Sequence, residues 1–372
     1  MRVLFAGGGT AGHINPALAA AGYLLEQEPD AQVLYVGNKG GMEERLVPKA
    51  GIPFKTITIS GFQRKLNFTN IKRNIKTVFY MFSATAESKR IIKEFKPDIC
   101  VGTGGYVSGP VIREAQKLGI PTVIHEQNAF PGVTTKLLAK KAKKVMLAVE
   151  DAKKHLDNTE NCVVTGNPVR LEILSADREA SRKKLGIGDR PLVLSFGGSL
   201  GAAAVNKACA YMLGESAKEK RFYHIHGYGT HDENFLDEVR DAGVVPGENP
   251  QIELREYIDN MPEVMAAADV VICRSGAITL SELEAMGKCA VLIPSPNVAE
   301  NHQYHNALAL SSRGAAVLIE EKNLTGERLW TAVQELLSTP GKTEDVGRNA
   351  RNLAMIDANE RIYKIIKQAA SA

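Results

Sequence analysis

Residues 3–13 read VLFAGGGTAGH, an apolar run that leads directly into a glycine-rich turn. Residues 192–201 repeat this design in the second half of the chain, with LVLSFGGSLG. A strand, a glycine turn and a following helix bring backbone N–H groups and the positive end of a helix dipole to one point, where they can hold a phosphate. The two copies predict two nucleotide-fold halves that face each other across a cleft.

Composition places the chain among ordinary globular proteins. Its 372 residues suit two domains of about 150 to 200 residues each. Five cysteines are scattered without a CxxC pair, which favours reduced thiols in a cytosolic compartment over a zinc site or a disulfide framework. We expect no signal peptide, because only four apolar residues lie between Arg2 and the first glycine run, and no membrane span, because no run of about 18 apolar residues occurs. A net charge of +4 is too small to predict a nucleic-acid partner.

Short apolar runs alternate with amphipathic stretches in both halves, which is the pattern of parallel βαβ units. The runs cover 32–36, 98–101, 122–125, 145–148, 222–226, 269–273, 290–294 and 316–319. A turn-rich segment over 166–170 separates the two halves, and helical patterns follow from 326 onward. We therefore predict domains over 1–165 and 166–355, with a C-terminal helix over 356–372 available to pack back on the first domain.

The first glycine turn satisfies G-x-G-x-x-G, so a dinucleotide-dependent oxidoreductase is one hypothesis. That fold normally has an acidic residue after its second strand to bind the ribose, whereas this chain has Asn38 there. The chain therefore lacks the acidic residue that would be the second feature of an NAD site. His13 follows the last glycine, where a neutral imidazole can accept a proton. The alternative is a helix-terminal histidine that only hydrogen-bonds locally.

Two further polar loops follow predicted strands of the first half. Residues 102–110 read GTGGYVSGP and open a helix, which indicates either a second set of N–H donors for a diphosphate or a pair of tight turns. Residues 125–128 read HEQN at the carboxyl end of a strand, where open α/β sheets bind ligands. Strand alternation sends two of these four side chains to each face, so the pattern leaves open which of them enter the cleft.

In the second half, residues 273–282 read CRSGAITLSE and lead from a strand into a helix N-terminus. This arrangement suits a phosphate, and Glu282 suits the two hydroxyls of a ribose unless it only complements the helix dipole. Residues 294–304 form a proline-stiffened polar loop that suits sugar recognition. No D-x-D, H-E-x-x-H or P-loop motif occurs, so we expect no metal or other cofactor. Arginines such as Arg170 and Arg274 would then meet the phosphate charge.

The stretch 67–95 predicts an amphipathic helix with a basic border. Its apolar face carries Ile71, Ile75, Val78, Phe79 and Phe82, beside Lys72, Arg73 and Lys76. A second basic cluster in the same domain comprises Lys136, Lys140, Lys141, Lys143 and Lys144. Apolar residues flanked by cations suit docking on an anionic membrane surface, while a face that is simply core explains the apolar stripe as well.

Six motifs in this order together resemble glycosyltransferase family 28, in particular its undecaprenyldiphospho-muramoylpentapeptide β-N-acetylglucosaminyltransferases. They lie at 8–13 with Asn15 and Pro16, 102–106, 125–128, 166–170, 197–202 through Asn206, and 273–282. The resemblance covers nearly the whole chain. It implies the GT-B fold, an α/β architecture of two Rossmann-like domains with the site in the cleft between them.

The same resemblance implies an activity. The family member would transfer N-acetylglucosamine from UDP-GlcNAc, with inversion, to the C4 hydroxyl of the muramoyl sugar of lipid I, and so form lipid II for peptidoglycan synthesis. The implied partners are the donor, the lipid I acceptor, an anionic membrane surface and other cell-wall synthesis proteins. The implied location is the cytoplasmic face of the cell membrane, as a peripheral protein.

Matching the family's motifs residue by residue implies the site. Donor contacts would come from Thr10, Ala11, Gly12, Asn128, Arg170, Ser199, Asn206, Ile258, Arg274, Ala277, Ile278, Thr279, Leu280, Ser281, Glu282 and Gln303. Contacts to the acceptor diphosphate would come from Gly9, Gly104, Gly105 and Tyr106. His13 is the preferred general base, with Glu126 and His125 as rivals. Ala11 stands where many family members have glycine, so this backbone position must tolerate an L-residue.

Other hypotheses share parts of this pattern. A different GT-B enzyme, either a glycolipid glycosyltransferase or a UDP-GlcNAc 2-epimerase, would use the same architecture, but an epimerase has no use for a membrane face. A dinucleotide-dependent oxidoreductase would bind NAD(P)H rather than UDP. A catalytically silent nucleotide-sugar sensor would bind the donor and show no turnover with any acceptor.

Overall fold

The computed structural model describes residues 1–60, 68–232 and 234–371, with the side chains at 68–79, 82 and 299 outside that description. The described chain divides into two compact units. Unit 1 comprises Met1–Val169 and Met355–Ala372, and unit 2 comprises Arg170–Ala354. Each unit has its own parallel sheet with helices on both faces.

Unit 1 is built around a parallel sheet in the order β3-β2-β1-β4-β5-β6-β7 within the described residues. Its strands are β1 (Arg2–Ala6), β2 (Gln32–Asn38), β3 (Phe54–Ile57), β4 (Ile99–Gly102), β5 (Thr122–Glu126), β6 (Lys144–Leu147) and β7 (Cys162–Val164). Its helices before the second unit are α1 (Ala11–Gln27), α2 (Glu43–Lys49), α3 (Phe68–Phe95), α4 (Gly105–Lys117) and α5 (Val133–Ala139), with a 3₁₀ turn at Glu150–His155. Strand order reverses between β1 and β4, and parallel α/β sheets bind ligands at such a point.

Unit 2 repeats the plan with the strand order β10-β9-β8-β11-β12-β13. Its strands are β8 (Leu192–Phe196), β9 (Tyr223–Gly227), β10 (Ile252–Arg255), β11 (Val270–Cys273), β12 (Cys289–Leu292) and β13 (Val317–Leu318). Its helices are α6 (Leu171–Leu174), α7 (Arg178–Leu185), α8 (Ala203–Glu219), α9 (Phe235–Asp241), α10 (Met261–Ala267), α11 (Ala277–Met286), α12 (His302–Ser311), α13 (Gly326–Ser338) and α14 (Lys342–Leu353). The order reverses between β8 and β11, directly before the two glycine-containing loops of this half.

The final helix, α15 (Ala358–Ser371), belongs to unit 1. Ile362 and Ile366 are buried in the same apolar cluster as residues of β1 and α1. At its start, the Asn359 side-chain amide donates to the carbonyl of Val169 at 3.0 Å. In the middle of the helix, the Tyr363 hydroxyl donates to Glu28 at 2.8 Å. Apolar burial therefore attaches the C-terminus to unit 1, and these polar contacts orient it.

The central strands of both sheets are buried on both faces, as the sequence predicts. Alternate residues of β1 enter opposite clusters, with Leu4 on one face and Phe5 on the other. In β8 the same alternation separates Leu194 from Val193. Strands buried on both faces consist of continuous apolar runs, which is why their positions were predictable to within about two residues. The two Rossmann-like α/β domains are therefore confirmed.

Three short strands, β3, β7 and β10, were not predicted. Each lies at the edge of its sheet. Edge strands are partly solvated and carry charged residues, as Lys55 does in β3 and Glu253 in β10. Their composition therefore lacks the long apolar run that marks a central strand. Among the described helices, none is long and apolar enough to cross a membrane.

Candidate active site

Three loops of unit 1 meet around His13 at the carboxyl ends of β1, β4 and β5. The Thr103 hydroxyl donates to the backbone carbonyl of His13 at 2.7 Å. Gln127 reaches the Thr103 carbonyl with its side-chain amide at 3.0 Å and lies 3.1 Å from Nδ1 of His13 with its amide oxygen. The three polar motifs, which are far apart in sequence, therefore hold one partly exposed histidine ring in the first turn of α1.

Glycine is needed where α4 begins, because the His13 ring lies against that backbone. A Cβ added at Gly104 would lie 2.9 Å from Nδ1 of His13, and the residue has φ +97°. A Cβ at Gly105 would lie 2.1 Å from the carbonyl oxygen of Gly8, with φ +76°. Both the positive φ angles and these close approaches exclude larger residues. The glycine loop therefore forms one wall of the histidine site.

Glu126, a predicted rival for the role of base, organises its own loop instead. Its Oε1 accepts hydrogen bonds from the backbone and side-chain amides of Asn128, at 3.1 and 3.0 Å. Its Oε2 accepts from the backbone of Gly132 at 3.1 Å and from the Thr135 hydroxyl at 2.6 Å. The residue is 3% exposed. Both carboxylate oxygens are thus bonded to four donors inside the protein, so this geometry argues against Glu126 as base.

His125, the second rival, is also buried and occupied. Its Nε2 lies 2.9 Å from the carbonyl of Gly166, and its Nδ1 lies 2.9 Å from the amide nitrogen of Gln127. Burial lowers its pKa, which keeps the ring neutral, although the Gly166 bond and the charge of Glu126 act in the opposite direction. Both ring nitrogens are therefore used inside the protein, and the geometry argues against His125 as base.

Glu43 lies directly under the first glycine loop. It is fully buried, and its Oε1 accepts the backbone N–H of Gly9 at 2.9 Å. The Gly9 N–H is thus already bonded, which weighs against its predicted role as a donor to the acceptor diphosphate. Tyr106 lies over Gly9, and burial together with the charge of Glu43 raises its pKa. Gly104 and Gly105 remain the better candidates for that diphosphate.

The start of α1 carries three of the four donor residues predicted in this unit, Thr10, Ala11 and Gly12, while Asn128 follows β5. Thr10 precedes the helix with extended backbone, and its side chain makes no capping bond. Ala11 is the first helical residue and has no positive φ. The expectation that an L-residue is tolerated at Ala11 is therefore confirmed. Thr10 and Gly12 are exposed, so this helix N-terminus is open to an anionic ligand.

In unit 2 the loop after β8 is shaped by glycines. Gly198 and Gly201 have φ of +105° and +83°. Gly201 also packs against the loop after β9, because a Cβ on Gly229 would lie 2.0 Å from its nitrogen. Ser199 between these glycines is exposed. The backbone conformation therefore presents Ser199 to solvent while two glycines hold the loop against its neighbour.

Arg170 and Glu282 form an ion pair inside unit 2. The Nε and Nη2 atoms of Arg170 lie 3.0 and 2.9 Å from Oε1 of Glu282. Burial raises the pKa of Glu282, and the arginine partly reverses that effect. Both arginine contacts go to Oε1 of Glu282, so Arg170 does not contact Oε2. The two predicted donor residues therefore lie together, on α11 and just before α6.

Arg274 lies in the loop between β11 and α11, and Gln303 lies at the start of α12. Arg274 pairs with Glu321 and donates to the Ile293 carbonyl at 3.1 Å. The Gln303 side chain accepts the backbone N–H of Ser295 at 2.9 Å, so it stiffens the proline-containing loop. Residues 277–279 form the first turn of α11, while the side chain of Leu280 is buried in the core. Leu280 can therefore meet a ligand only through its backbone.

Two predicted donor contacts, Asn206 and Ile258, have buried side chains. The side-chain amide of Asn206 is buried and donates to the Tyr228 carbonyl at 2.9 Å and to Asp232 at 2.8 Å. Its oxygen lies 3.2 Å from Nε2 of His226. Ile258 is 5% exposed and belongs to the apolar core. The Asn206 amide is bonded inside the protein, where it supports the loops after β8 and β9.

A buried network continues from Asn206 into the sheet. The Ser195 hydroxyl lies 2.6 Å from Nδ1 of His226 and 2.7 Å from Nε2 of His224. Burial lowers the pKa of His226 to about 3 and that of His224 well below its usual value. Both rings are therefore neutral at physiological pH. Sequence analysis missed this network because alternating histidines in a strand do not reveal their partners.

These histidines predict an acid-sensitive fold. Below a pH of about 6.5 the unfolded chain takes up protons that the folded state excludes, so the free energy of unfolding falls by up to about 1.4 kcal/mol per pH unit for each histidine. His226→Asn, which keeps an acceptor for Ser195, should be less stable at pH 7.5 and lose stability less steeply on acidification. Urea unfolding at pH 7.5 and 5.5 measures both effects. An unchanged slope in the variant would refute the explanation.

A basic and apolar surface lies on α5. Val133 and Leu137, one turn apart, are 60% and 72% exposed. Lys136 lies over the Phe130 ring at 4.2 Å, and Lys140 pairs with Asp157 at 3.0 Å. The predicted lysines Lys140, Lys141, Lys143 and Lys144 are exposed. The apolar residues predicted on α3, from Ile71 to Phe82, lie outside the described side chains.

The described residues contain no group of three or more His, Cys, Asp or Glu side chains arranged to hold a metal ion. The polar groups gathered at both switch points are instead amides, hydroxyls, arginines and helix N-termini. Such groups suit an anionic ligand such as a nucleoside diphosphate.

Family models match both halves of the chain. The glycosyltransferase family 28 N-terminal domain matches residues 3–147, and the family's C-terminal domain matches residues 192–368. A relative from Acetivibrio thermocellus is 45% identical over 99% of this chain and 98% of its own. A relative from Clostridioides difficile is 41% identical over 98% of this chain and 88% of its own. Both are named UDP-N-acetylglucosamine–N-acetylmuramyl-(pentapeptide) pyrophosphoryl-undecaprenol N-acetylglucosamine transferase.

Solved structures agree with these relatives. A crystal structure of Acinetobacter baumannii MurG is 30% identical, covers 99% of both chains and has a TM-score of 0.76. A UDP-GlcNAc 2-epimerase from Neisseria meningitidis, bound to UDP-GlcNAc, covers 99% of this chain with a TM-score of 0.66 but is only 14% identical. The second likeness concerns the fold alone.

Proposed function

The chain belongs to glycosyltransferase family 28, and from this we propose that it transfers N-acetylglucosamine from UDP-GlcNAc to lipid I. The product is lipid II, the disaccharide precursor of bacterial peptidoglycan. The observation that carries this conclusion is 45% identity over nearly the full length to a relative named for that transfer. The epimerase alternative is not favoured, because the likeness to that enzyme is confined to the fold.

We propose that His13 is the general base. As the C4 hydroxyl oxygen of the muramoyl sugar bonds to the anomeric carbon of the donor, Nε2 of His13 takes the hydroxyl proton. The bond from that carbon to the UDP oxygen breaks on the opposite side, which inverts the configuration. The histidine ring is partly exposed, while the carboxylate of Glu126 and both ring nitrogens of His125 are already occupied. His13 is thus the best placed of the three predicted bases.

Unit 2 is proposed to hold the donor. Backbone N–H groups of the Ser199 loop and of the first turn of α11 would stabilise the charge that develops on the leaving diphosphate. Arg274 would add a positive charge. Glu282 would bind the ribose hydroxyls through Oε2, the oxygen that Arg170 does not contact. Gln303 would position the sugar loop. From unit 1, Thr10, Ala11, Gly12 and Asn128 would complete the donor contacts, and Gly104, Gly105 and Tyr106 would meet the acceptor diphosphate.

The decisive experiment is transfer of labelled N-acetylglucosamine from its UDP donor to a short-chain lipid I analogue, with purified protein and no added metal. Labelled disaccharide product is the expected result. Clear binding of UDP-GlcNAc without product would refute the proposed reaction. Formation of the 2-epimer of the donor would favour the epimerase hypothesis instead.

We also propose that the protein docks on the cytoplasmic face of the cell membrane through α5. An acceptor with an undecaprenyl tail stays in the bilayer, so the enzyme must reach it there. Val133 and Leu137 present apolar surface, and the surrounding lysines suit anionic headgroups, each contributing about 1 kcal/mol near the surface. Binding to other cell-wall synthesis proteins remains a proposal that rests on the family alone.

Replacing Leu137 by serine should weaken vesicle binding. Loss of a buried leucine side chain removes about 1.5 to 3 kcal/mol, which corresponds to roughly a tenfold or larger loss of partitioning. The measurement is co-sedimentation with vesicles that contain anionic lipid, at low and high salt. Val245→Ser, which changes another exposed apolar residue, in unit 2, is the control. Equal binding by Leu137→Ser and the wild type would exclude α5 as the docking element.

A further inference from the structure

We propose that Gln127, itself oriented by His125, is a positioning residue that holds His13 in the tautomer with its proton on Nδ1. Nε2 is then the nitrogen with the free lone pair. The inference rests on the proposed function only where it treats His13 as the base. The hydrogen-bond assignment itself follows from the local geometry of unit 1.

The orientation of the Gln127 amide is the first step. Its nitrogen lies 3.0 Å from the carbonyl oxygen of Thr103 and 3.0 Å from that of His125. Carbonyl oxygens only accept hydrogen bonds, so the NH₂ group must face them. A flipped amide would place its oxygen against two other oxygens. The side chain is 3% exposed, so water cannot easily relieve that repulsion.

The His13 tautomer follows from this orientation. Oε1 of Gln127 lies 3.1 Å from Nδ1 of His13. An amide oxygen has no proton to donate, so Nδ1 must carry the proton of this bond. A neutral imidazole with Nδ1 protonated has its lone pair on Nε2. Among the residues that the structure describes, Nε2 forms no hydrogen bond.

His125 gives an independent check on the same chain of bonds. Its Nε2 lies 2.9 Å from the Gly166 carbonyl, so Nε2 carries the proton. Its Nδ1 then has the lone pair, which faces the amide nitrogen of Gln127 at 2.9 Å, so the two amide hydrogens are shared among this nitrogen and the carbonyl oxygens of Thr103 and His125. The bonds thus run in one direction, from His13 through Gln127 and His125 to Gly166. Burial lowers the pKa of His125 and so favours the neutral ring that this direction requires.

The direction matters because a base in the wrong tautomer presents a proton where it needs a lone pair. In a serine protease triad the wrong histidine tautomer costs about four orders of magnitude in kcat. Without Gln127, His13 is free to exchange tautomers, so only part of the base is lost. We expect Gln127→Met, which keeps the length of the side chain and removes both amide atoms, to lower kcat about tenfold to a hundredfold. The KM for UDP-GlcNAc should stay within about twofold of the wild type, because Gln127 is buried and is not itself a proposed donor contact.

Ring-¹⁵N NMR of the full protein, labelled on histidine, tests the assignment without requiring turnover. The His13→Ala variant identifies the His13 signals. At pH 8 we expect Nδ1 of His13 to be protonated and Nε2 to be unprotonated in the wild type. We expect the Gln127→Met variant to show a mixture of tautomers. A wild-type His13 with its proton on Nε2 would overturn the proposal, whatever the kinetics of the variants.

Thr103→Val is the matched control for a merely structural effect. It removes the 2.7 Å hydrogen bond from the Thr103 hydroxyl to the His13 carbonyl. It leaves the Thr103 backbone carbonyl, which accepts from Gln127, unchanged. We expect it to retain the Nδ1-protonated tautomer and to lose less kcat than Gln127→Met. Equal losses with unchanged tautomers in both variants would also overturn the proposal. If the wild type shows no transfer at all, the proposed function fails, and the NMR result still decides the tautomer.

Discussion

His13→Ala is expected to lower kcat for glycosyl transfer by about two to four orders of magnitude, the usual contribution of a positioned general base. The KM for UDP-GlcNAc should change little, because the proposed donor contacts lie on other residues. Three contacts fix His13. The Thr103 hydroxyl donates to its backbone carbonyl, the Gln127 amide oxygen lies next to Nδ1, and the ring packs against the backbone of Gly104. Steady-state kinetics with both substrates measures the two parameters.

His155→Ala is the control for His13→Ala. His155 lies in the same unit, and its side chain is exposed at the end of a 3₁₀ turn, where the ring contacts Phe130. Its loss should leave kcat within about twofold of the wild type, as for most surface substitutions away from a site. If His13→Ala turns over normally, His13 has no part in the chemistry, and the occupied groups of Glu126 and His125 would have to be reconsidered.

Gly104→Ala is expected to lower kcat about a hundredfold without changing the residue that does the chemistry. The added Cβ would lie 2.9 Å from Nδ1 and 3.1 Å from Cε1 of His13, so the ring must move. Movement of the ring also breaks its bond to Gln127. A misplacement of about 1 Å at a catalytic group can cost about a hundredfold in rate. The φ of +97° adds backbone strain of about 1 to 2 kcal/mol, which lowers the melting temperature as well.

Gly109→Ala separates this effect from a general response of α4 to substitution. Gly109 lies in the same helix, and outside its own helix a Cβ there would come no closer than 3.8 Å to Thr134. Alanine favours helix more than glycine does, but Pro110 disfavours a helical residue with a Cβ directly before it, so this variant should differ from the wild type by less than Gly104→Ala does. Kinetics and thermal melts of the two variants are compared directly. Normal kcat in Gly104→Ala would mean that the position of the His13 ring does not limit the reaction.

The candidate site could be predicted from sequence only as a set of loops. The glycine turns, the HEQN segment and the start of α11 all lie at the carboxyl ends of central strands, as their motifs predicted. The roles within a loop were not predictable. His125, Glu126 and Gln127 are consecutive, yet one bonds to Gly166, one to Thr135 and one to His13. Asn206 was predicted to touch the donor and is buried instead.

The amino-acid sequence by itself determined the two parallel α/β domains and the family. Central strands are buried on both faces, so they need continuous apolar runs, and phosphate loops need glycine because their backbone adopts positive φ angles or approaches neighbouring groups closely. Only the tertiary structure decided which polar groups are already satisfied. A side chain's capacity to act on a substrate depends on what its other atoms bond to, and those partners come from distant segments. Gln127 shows this, because its contacts with Thr103 and His13 join three loops that no local pattern connects.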